Sequence, residues 1–451
     1  MLAPGPGGNV KPVEAGPAPA PAGPPPGEGW RWPARWRAGL ARQARRPHFW
    51  AALVVLGVLV VAFILVFPHL WAWYHFRAAR SALEQFHNPQ AIRHLLACRE
   101  VWPNNPDVQL MAARAARRAR TYRDAEILLD NYRRVRGLDE ALSFEQLLLS
   151  AERNVDSVAE VCRRHVEENH PEAVLILEAL TRGFLRQYQL GPARFCLGEW
   201  LKRQPDNPQA LCLQGEIHLD YEHSQVGALA SYRRAVELDP DHEEARLGLA
   251  IVLLQCQTFA EAAGHLEYLR KCQPDNLHIQ VGLAECRRGL GKGAEALRLV
   301  ESVLARRPEY PQALALRGQL ALDQGQFAAA EDYLRRAVEL NPRDQRTRYN
   351  LILCLNRNGK FAEARRHKRK HKRMEEDLKQ FHTIVTRDLA RRPHDPALHY
   401  TLGRLLLRSG HRGEARRWLQ SALRLDPQYA PARQALAEYY QKAEAKPERP
   451  E

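Results

Sequence analysis

Proline recurs along this chain at a nearly fixed interval, and that interval limits what the chain can fold into. Pro171, Pro205, Pro240, Pro274, Pro308 and Pro342 follow at steps of 34, 35, 34, 34 and 34 residues, and Pro393 to Pro427 is another step of 34. Pro103 to Pro171 is two steps, with Gly137 in the middle. A small residue stands twelve positions before these stops, at Ala91, Ala125, Ala159, Ala193, Ala228, Ala262, Ala296, Ala330 and Ala415. A second often stands twelve earlier, as at Ala79, Ala113, Ala250, Ala284, Gly318 and Gly403. Each step holds two amphipathic stretches, for example 312–323 and 327–340, joined by Gln324-Gly325-Gln326. Apolar residues fall at helical spacing in both. The small residues let two helices approach closely, and proline ends the second helix because it lacks an N–H. One such pair cannot bury its apolar face alone, so successive pairs must stack.

Aromatics recur three residues before the inner alanine, at Tyr122, Phe259, Phe327 and Phe361. The whole pattern resembles the tetratricopeptide repeat family over residues 72–445. The resemblance implies an all-α fold, a right-handed superhelical solenoid of antiparallel helix pairs. The rungs fall at 72–105, 106–139, 140–173, 174–207, 208–242, 243–276, 277–310 and 311–344, with an irregular ninth at 345–395 and a tenth at 396–429. The extra residue between Pro205 and Pro240 is expected in the turn around 223–225. Residues 430–445 read as a capping helix, and 446–451 as a disordered tail. In the ninth rung, Pro342 to Pro393 is 51 residues, one step plus 17. Its second helix begins normally at Phe361 and Ala364, then becomes a basic insertion over 365–388. The insertion reads as one long helix or two consecutive helices, with the basic part projecting beyond the stack.

A different chemistry precedes the ladder. Residues 1–29 are rich in Pro, Gly and Ala and cannot bury a core, so they read as disordered. Residues 30–48 alternate tryptophan and arginine, which suits a membrane headgroup zone. Residues 49–67 carry no charge, and Trp50, Trp71, Trp73 and Tyr74 flank them like an aromatic belt. A transmembrane helix is therefore expected over 49–71. Six arginines lie on its N-terminal side against Arg77 and Arg80 after it, so the positive-inside rule places the N-terminus in the cytoplasm and the solenoid outside, on the periplasmic side of a bacterium.

Net charge is +15, of which the first 48 residues carry +5 and Arg365, Arg366, Lys368, Arg369, Lys370, Lys372 and Arg373 carry +7. The rest of the solenoid is nearly balanced, so the high pI is no argument for nucleic-acid binding. The basic run has three readings: a solvated helix, a contact for anionic lipid, polymer or acidic protein, or a nucleic-acid site without interleaved aromatics. His367 and His371 are four apart on one helical face, but their cationic neighbours oppose a metal. Among the eight cysteines no CxxC occurs, and most fall inside helical stretches where they pack as small hydrophobes. No nucleotide, phosphate, zinc-protease or nucleophile-elbow motif is present. No catalytic residue, cofactor or metal is expected.

In the resembled family, ligands lie along the concave groove lined by first helices. Carried over, this implies partner-binding roles for Arg114, Arg117 and Arg118, for Asn350, Asn356 and Arg357, and for Tyr400, Arg404 and Arg408, which would hold a carboxylate or an acidic or extended peptide. In layout the chain resembles anchored repeat proteins of bacterial envelope biogenesis, without the C-terminal cysteine module some of them carry. The expectation is a membrane-anchored, non-enzymatic scaffold recruiting protein partners. The alternative is an accessory subunit of a membrane enzyme or secretion complex, with the basic helix docking an anionic partner.

Overall fold

A period of 34 residues leaves room for two helices of about thirteen residues and two short turns, and the computed structural model has that plan. The structure describes residues 47–187, 189–222 and 224–444, among which all regular structure is helical. The expectations for 1–29, most of 30–48 and the terminal tail lie outside the described residues. The chain divides into two units, Met1–Leu70 and Trp71–Glu451.

Helix α1 (Pro47–Glu84) carries the apolar stretch in the part that belongs to the first unit. From Val54 to Phe67 its large side chains are between 50% and 63% exposed, and its most apolar window has a mean hydropathy of 2.6 with no residue buried. Among the described residues one helix is thus long and apolar enough to cross a membrane.

The second unit is the solenoid. Rung one pairs the last part of α1 with α2 (Asn88–Val101). Then come α3 (Pro106–Arg118) with α4 (Tyr122–Arg136), α5 (Glu140–Arg153) with α6 (Ala159–Glu167), and α7 (Ala173–Arg186) with α8 (Leu190–Arg203). Rungs five to eight pair α9 (Pro208–Glu216) with α10 (Gln225–Leu238), α11 (Glu243–Gln255) with α12 (Phe259–Cys272), α13 (Leu277–Gly289) with α14 (Gly293–Arg306), and α15 (Pro311–Asp323) with α16 (Phe327–Leu340). Rung nine is α17 (Gln345–Arg357) with α18 (Phe361–Thr383), followed by a π-helical turn at Ile384–Asp388 and the short α19 (Leu389–Arg391). Rung ten is α20 (Pro396–Ser409) with α21 (Arg412–Leu425), and α22 (Ala430–Glu444) covers its end.

Local chemistry sets the boundaries. Asn105, Asp139, Asn207, Asn276, Asp344 and Asp395 accept hydrogen bonds from the first-turn N–H groups of the first helices, and Pro106, Pro208, Pro311 and Pro396 open four of them. The turn inside a rung needs a left-handed residue. Gly291, Gly325, Gly359 and Gly410 supply it in rungs seven to ten, at φ between +72° and +91°. Phe86, Arg120 and Gln257 adopt it in rungs one, two and six, at φ near +60°, an uncommon conformation for residues with a side chain.

Close packing sits where the small residues predict. Ala91, Ala193, Ala228, Ala262, Ala296, Ala330 and Ala415 are 0% exposed. A Cβ on Gly318 would stand 2.6 Å from Leu334 Cγ, and one on Gly403 2.7 Å from Leu419 Cγ. Two expectations are corrected. Ala159 is only half-buried, because a 3₁₀ turn at Val155–Ser157 delays the helix start and the buried position passes to Cys162. The extra residue before Pro240 is taken up at the end of the first helix, as a π-helical turn at Ile217–Tyr221, ahead of the place expected for it.

The insertion resolves into one helix. α18 is continuous to Thr383, with its basic residues exposed and His367 and His371 half-buried. Its second half and the following turn bury Met374, Ile384 and Val385, with rung ten packed on them.

Candidate interaction groove

The first helices of rungs six to nine share one face. Residues three and four apart on a helix lie above one another, so each helix contributes a short column to a common wall. Leu247, Ile251 and Leu254 of α11, Val281 of α13 and Leu316 of α15 floor a cavity of about 270 Å³. Gln255, His278, Glu285, Gln312, Gln319, Arg346 and Asn350 form its polar edge. Arg346 reaches from rung nine to pair with Glu285 of rung seven, across the intervening rung. The arrangement offers an apolar floor with alternating donors and acceptors, suited to an extended chain segment.

The sequence-derived residues occupy three separate places. Arg114, Arg117 and Arg118 face the interior and pair with carboxylates of the same chain. Arg114 donates to Glu145 at 2.5 Å, and Arg117, 1% exposed, pairs with Glu152 and, at 3.8 Å, with Glu145. Arg118 donates to Glu178 at 3.0 and 3.2 Å and to the Leu83 carbonyl at 2.8 Å, with its guanidinium over the Phe86 ring. Arg182 lies 3.4 Å from Glu178 and 3.8 Å from Glu244, and Arg120 donates to Glu216 at 2.7 Å. These groups form an ionic lattice between rungs. Burial pushes the Glu152 carboxyl up; burial acts the same way on Glu178, but Arg118, Arg182 and Arg117 together outweigh it and hold that carboxyl low. Arg117 and Arg118 are therefore spent inside the stack and present nothing to a ligand.

Asn350 lines the groove, whereas Asn356 and Arg357 are exposed at the end of α17, with Arg357 over the Phe327 ring. Arg404 donates to the Tyr400 hydroxyl at 3.1 Å, and Arg408 donates to Asp377 of α18 at 2.6 Å, tying rung ten to the insertion. Sequence reasoning missed the apolar floor. Its signal was present in α11, whose GLAIVLL run at 248–254 is apolar on the outward as well as the inward face.

The front of the solenoid also touches later rungs. Arg93 donates to Glu243 at 2.9 Å and His87 to Asp239 at 2.5 Å, joining rung one to rungs five and six. Asp156 of rung three lies 3.3 Å from Arg424 of rung ten, and Leu190 packs into the cluster of Ile384, Leu402 and Trp418. Among the described residues no group of three or more His, Cys, Asp or Glu is placed to hold a metal, and the eight cysteines are free thiols.

One tetratricopeptide-repeat profile matches residues 227–276, 281–344 and 315–367, and a second matches 386–444. The chain is 29% identical over 168 residues to DnaJ protein P58IPK homolog B of rice, covering 34% of this chain and 36% of that protein. It is 26% identical over 162 residues to tetratricopeptide repeat protein 1 of Schizosaccharomyces pombe, covering 34% of this chain and 15% of that one. The chain thus spans about a third or less of the length of these relatives. A tetratricopeptide repeat protein from Parabacteroides merdae is similar at 17% identity with a TM-score of 0.33, over 63% of this chain and 99% of that one. The repeats of this chain are tetratricopeptide repeats, a module that mediates protein–protein interaction.

Proposed function

We propose that the chain is a membrane-anchored scaffold that recruits protein partners at a bacterial envelope, holding an extended peptide segment along the groove of rungs six to nine. The groove carries this reading: four first helices present an apolar floor and a polar edge, and tetratricopeptide repeats bind proteins or peptides. Such repeats are typically non-catalytic. On this reading the anchor is the apolar part of α1, over 49–71, and the solenoid runs over 72–445. The arginine bias before the span favours a cytoplasmic N-terminus and an extracytoplasmic solenoid.

Ile251→Ser in the groove should remove most partners crosslinked to the full chain in membranes, while Val226→Ser, at a position 82% exposed, should remove none. Equal capture by both variants ends the groove reading. A reporter active only outside the cytoplasm, fused after Glu451, should be active; activity of a cytoplasm-only reporter there reverses the orientation. The second reading, an accessory subunit that docks an anionic partner through its basic helix, is favoured by the exposure of Arg365, Arg366, Lys368, Arg369, Lys370, Lys372 and Arg373.

A further inference from the structure

The seven cations of 365–373 sweep the side of α18 away from the buried Ala364 and Met374. Elsewhere in the solenoid many arginines are paired with carboxylates. Arg335 holds Glu331 and Glu363, Arg233 holds Glu261, and Arg306 holds Asp275. On the basic face, among the described residues, only Lys372 has an ion pair, with Glu376 at 3.8 Å. Like charges three and four apart on a helix repel, and among the described residues only that one pair relieves them.

A second observation lies beside the first. α11, α13 and α15 each pack against the first helix of the next rung. Rung ten instead packs on the second half of α18 and the turn at Ile384–Asp388. α17 keeps Tyr349 50% exposed and Leu353 42% exposed, one helical turn apart. The Tyr349 ring lies 6.0 Å from that of His371 on the basic helix, so the apolar pair and the cations adjoin.

We infer that rung nine carries a second docking surface, fitted to an acidic amphipathic segment of a protein partner. The outward cations of α18 meet its carboxylates, and Tyr349 and Leu353 receive its apolar side chains. This rests on the reading of the chain as a protein-interaction scaffold and lies beyond the cavity, on the same wall: Tyr349 and Leu353 stand three steps of 34 after Leu247 and Ile251, where the wall meets the basic helix. Charge complementarity selects an anion, and the apolar pair selects among anions. A polyphosphate backbone or an anionic bilayer surface satisfies the cations without using Tyr349 or Leu353. A peptide with acids on one side and leucines on the other uses both sets.

The test uses the full chain in discs of neutral lipid. A labelled sixteen-residue peptide of glutamate with leucine at helical spacing is titrated against oligoglutamate of equal charge. The amphipathic peptide should bind about tenfold more tightly, and should lose about tenfold between 50 and 200 mM salt, as exposed charges are screened. Changing Lys368, Arg369, Lys370, Lys372 and Arg373 to Gln should weaken both ligands at least tenfold. Changing Tyr349 and Leu353 to Ser should erase the advantage of the amphipathic peptide and leave oligoglutamate unchanged. The proposal is overturned if the two ligands bind alike, if the Tyr349 and Leu353 changes have no effect, or if phosphatidylglycerol vesicles or a single-stranded oligonucleotide displace the peptide at equal charge. Ile251→Ser should leave this titration unaltered. If it abolishes binding instead, the peptide sits in the groove: the second surface falls and the interaction reading stands.

Discussion

Arginine does opposite things at the two ends of the solenoid. Near the front, Arg117 and Arg118 are almost completely buried, each against a carboxylate from a later rung. Near the back, Arg365, Arg366, Arg369 and Arg373 stand in solvent without a partner among the described residues. Sequence composition treats these runs alike, Arg-Ala-Ala-Arg-Arg in one and Arg-Arg-His-Lys-Arg in the other. The acids decide between them. Glu145, Glu152 and Glu178 lie one and two rungs on from the first run and reach back to it. The second run has Glu375 and Glu376 at its end, Glu363 before it is held by Arg335, and among the described residues only Glu376 pairs with it. A buried ion pair is costly to break because it leaves an unpaired charge in a poorly solvated place, whereas an exposed unpaired cation is a free contact.

The contrast is sharpest at Glu178, which serves both Arg118 and Arg182. Glu178→Gln should cost about 3–5 kcal/mol in denaturant unfolding of the full chain. A loss below about 1 kcal/mol would put the front arginines in the same class as the exposed ones. Glu331 is an intermediate case, with its side chain 8% exposed and bonded to Arg335, Lys360 and Asn358. Burial works against its charge, but those three hydrogen-bond donors together hold the carboxyl down at about 2. Because the folded value lies below the unfolded one, its contribution is present above pH 4.5 and is lost as pH falls from there toward 2. Glu331→Gln should cost about 2–3 kcal/mol at pH 7, and the gap to the parent chain should close across that acid window in unfolding titrations. A gap independent of pH would mean the loss is one of packing. The smallest effect belongs to the back. Replacing Lys368, Arg369, Lys370, Lys372 and Arg373 by Gln should leave the thermal midpoint unchanged or raise stability by a few tenths of a kcal/mol as repulsion is relieved. A clear loss would show that the basic face has a partner within the fold.

The proline ladder made the rung boundaries legible because proline and the inner alanine act locally, on one helix end and one close approach. Ala330 and Ala228 could be placed in the core from spacing alone. What the spacing hid was non-local. Nothing near Arg118 in sequence names Glu178, since the pair forms only after two further rungs have stacked. Ala159 was misplaced because a 3₁₀ turn shifts the helix start without changing the period. The π-helical turn at Ile217–Tyr221 was invisible because an added residue leaves the same mark on spacing wherever it is absorbed. Of the nine residues carried over from the family resemblance, Asn350 lines the groove, and the groove's hydrophobic floor lay among residues read only as core.

The contacts of Arg93 with Glu243 and of Asp156 with Arg424 bear on how the chain reaches its native state. A solenoid whose units touch only their neighbours can begin to order anywhere and spread along its axis, with little entropy spent on closing loops. Here the first rung waits for a carboxylate 150 residues downstream, and the third waits for the tenth. Such distant contacts slow folding, because the loops between them must close before the contacts return anything. During synthesis, the front rungs emerge with their partners still unmade. The middle rungs, seven and eight, depend least on such returns and are the natural place for the coil to nucleate.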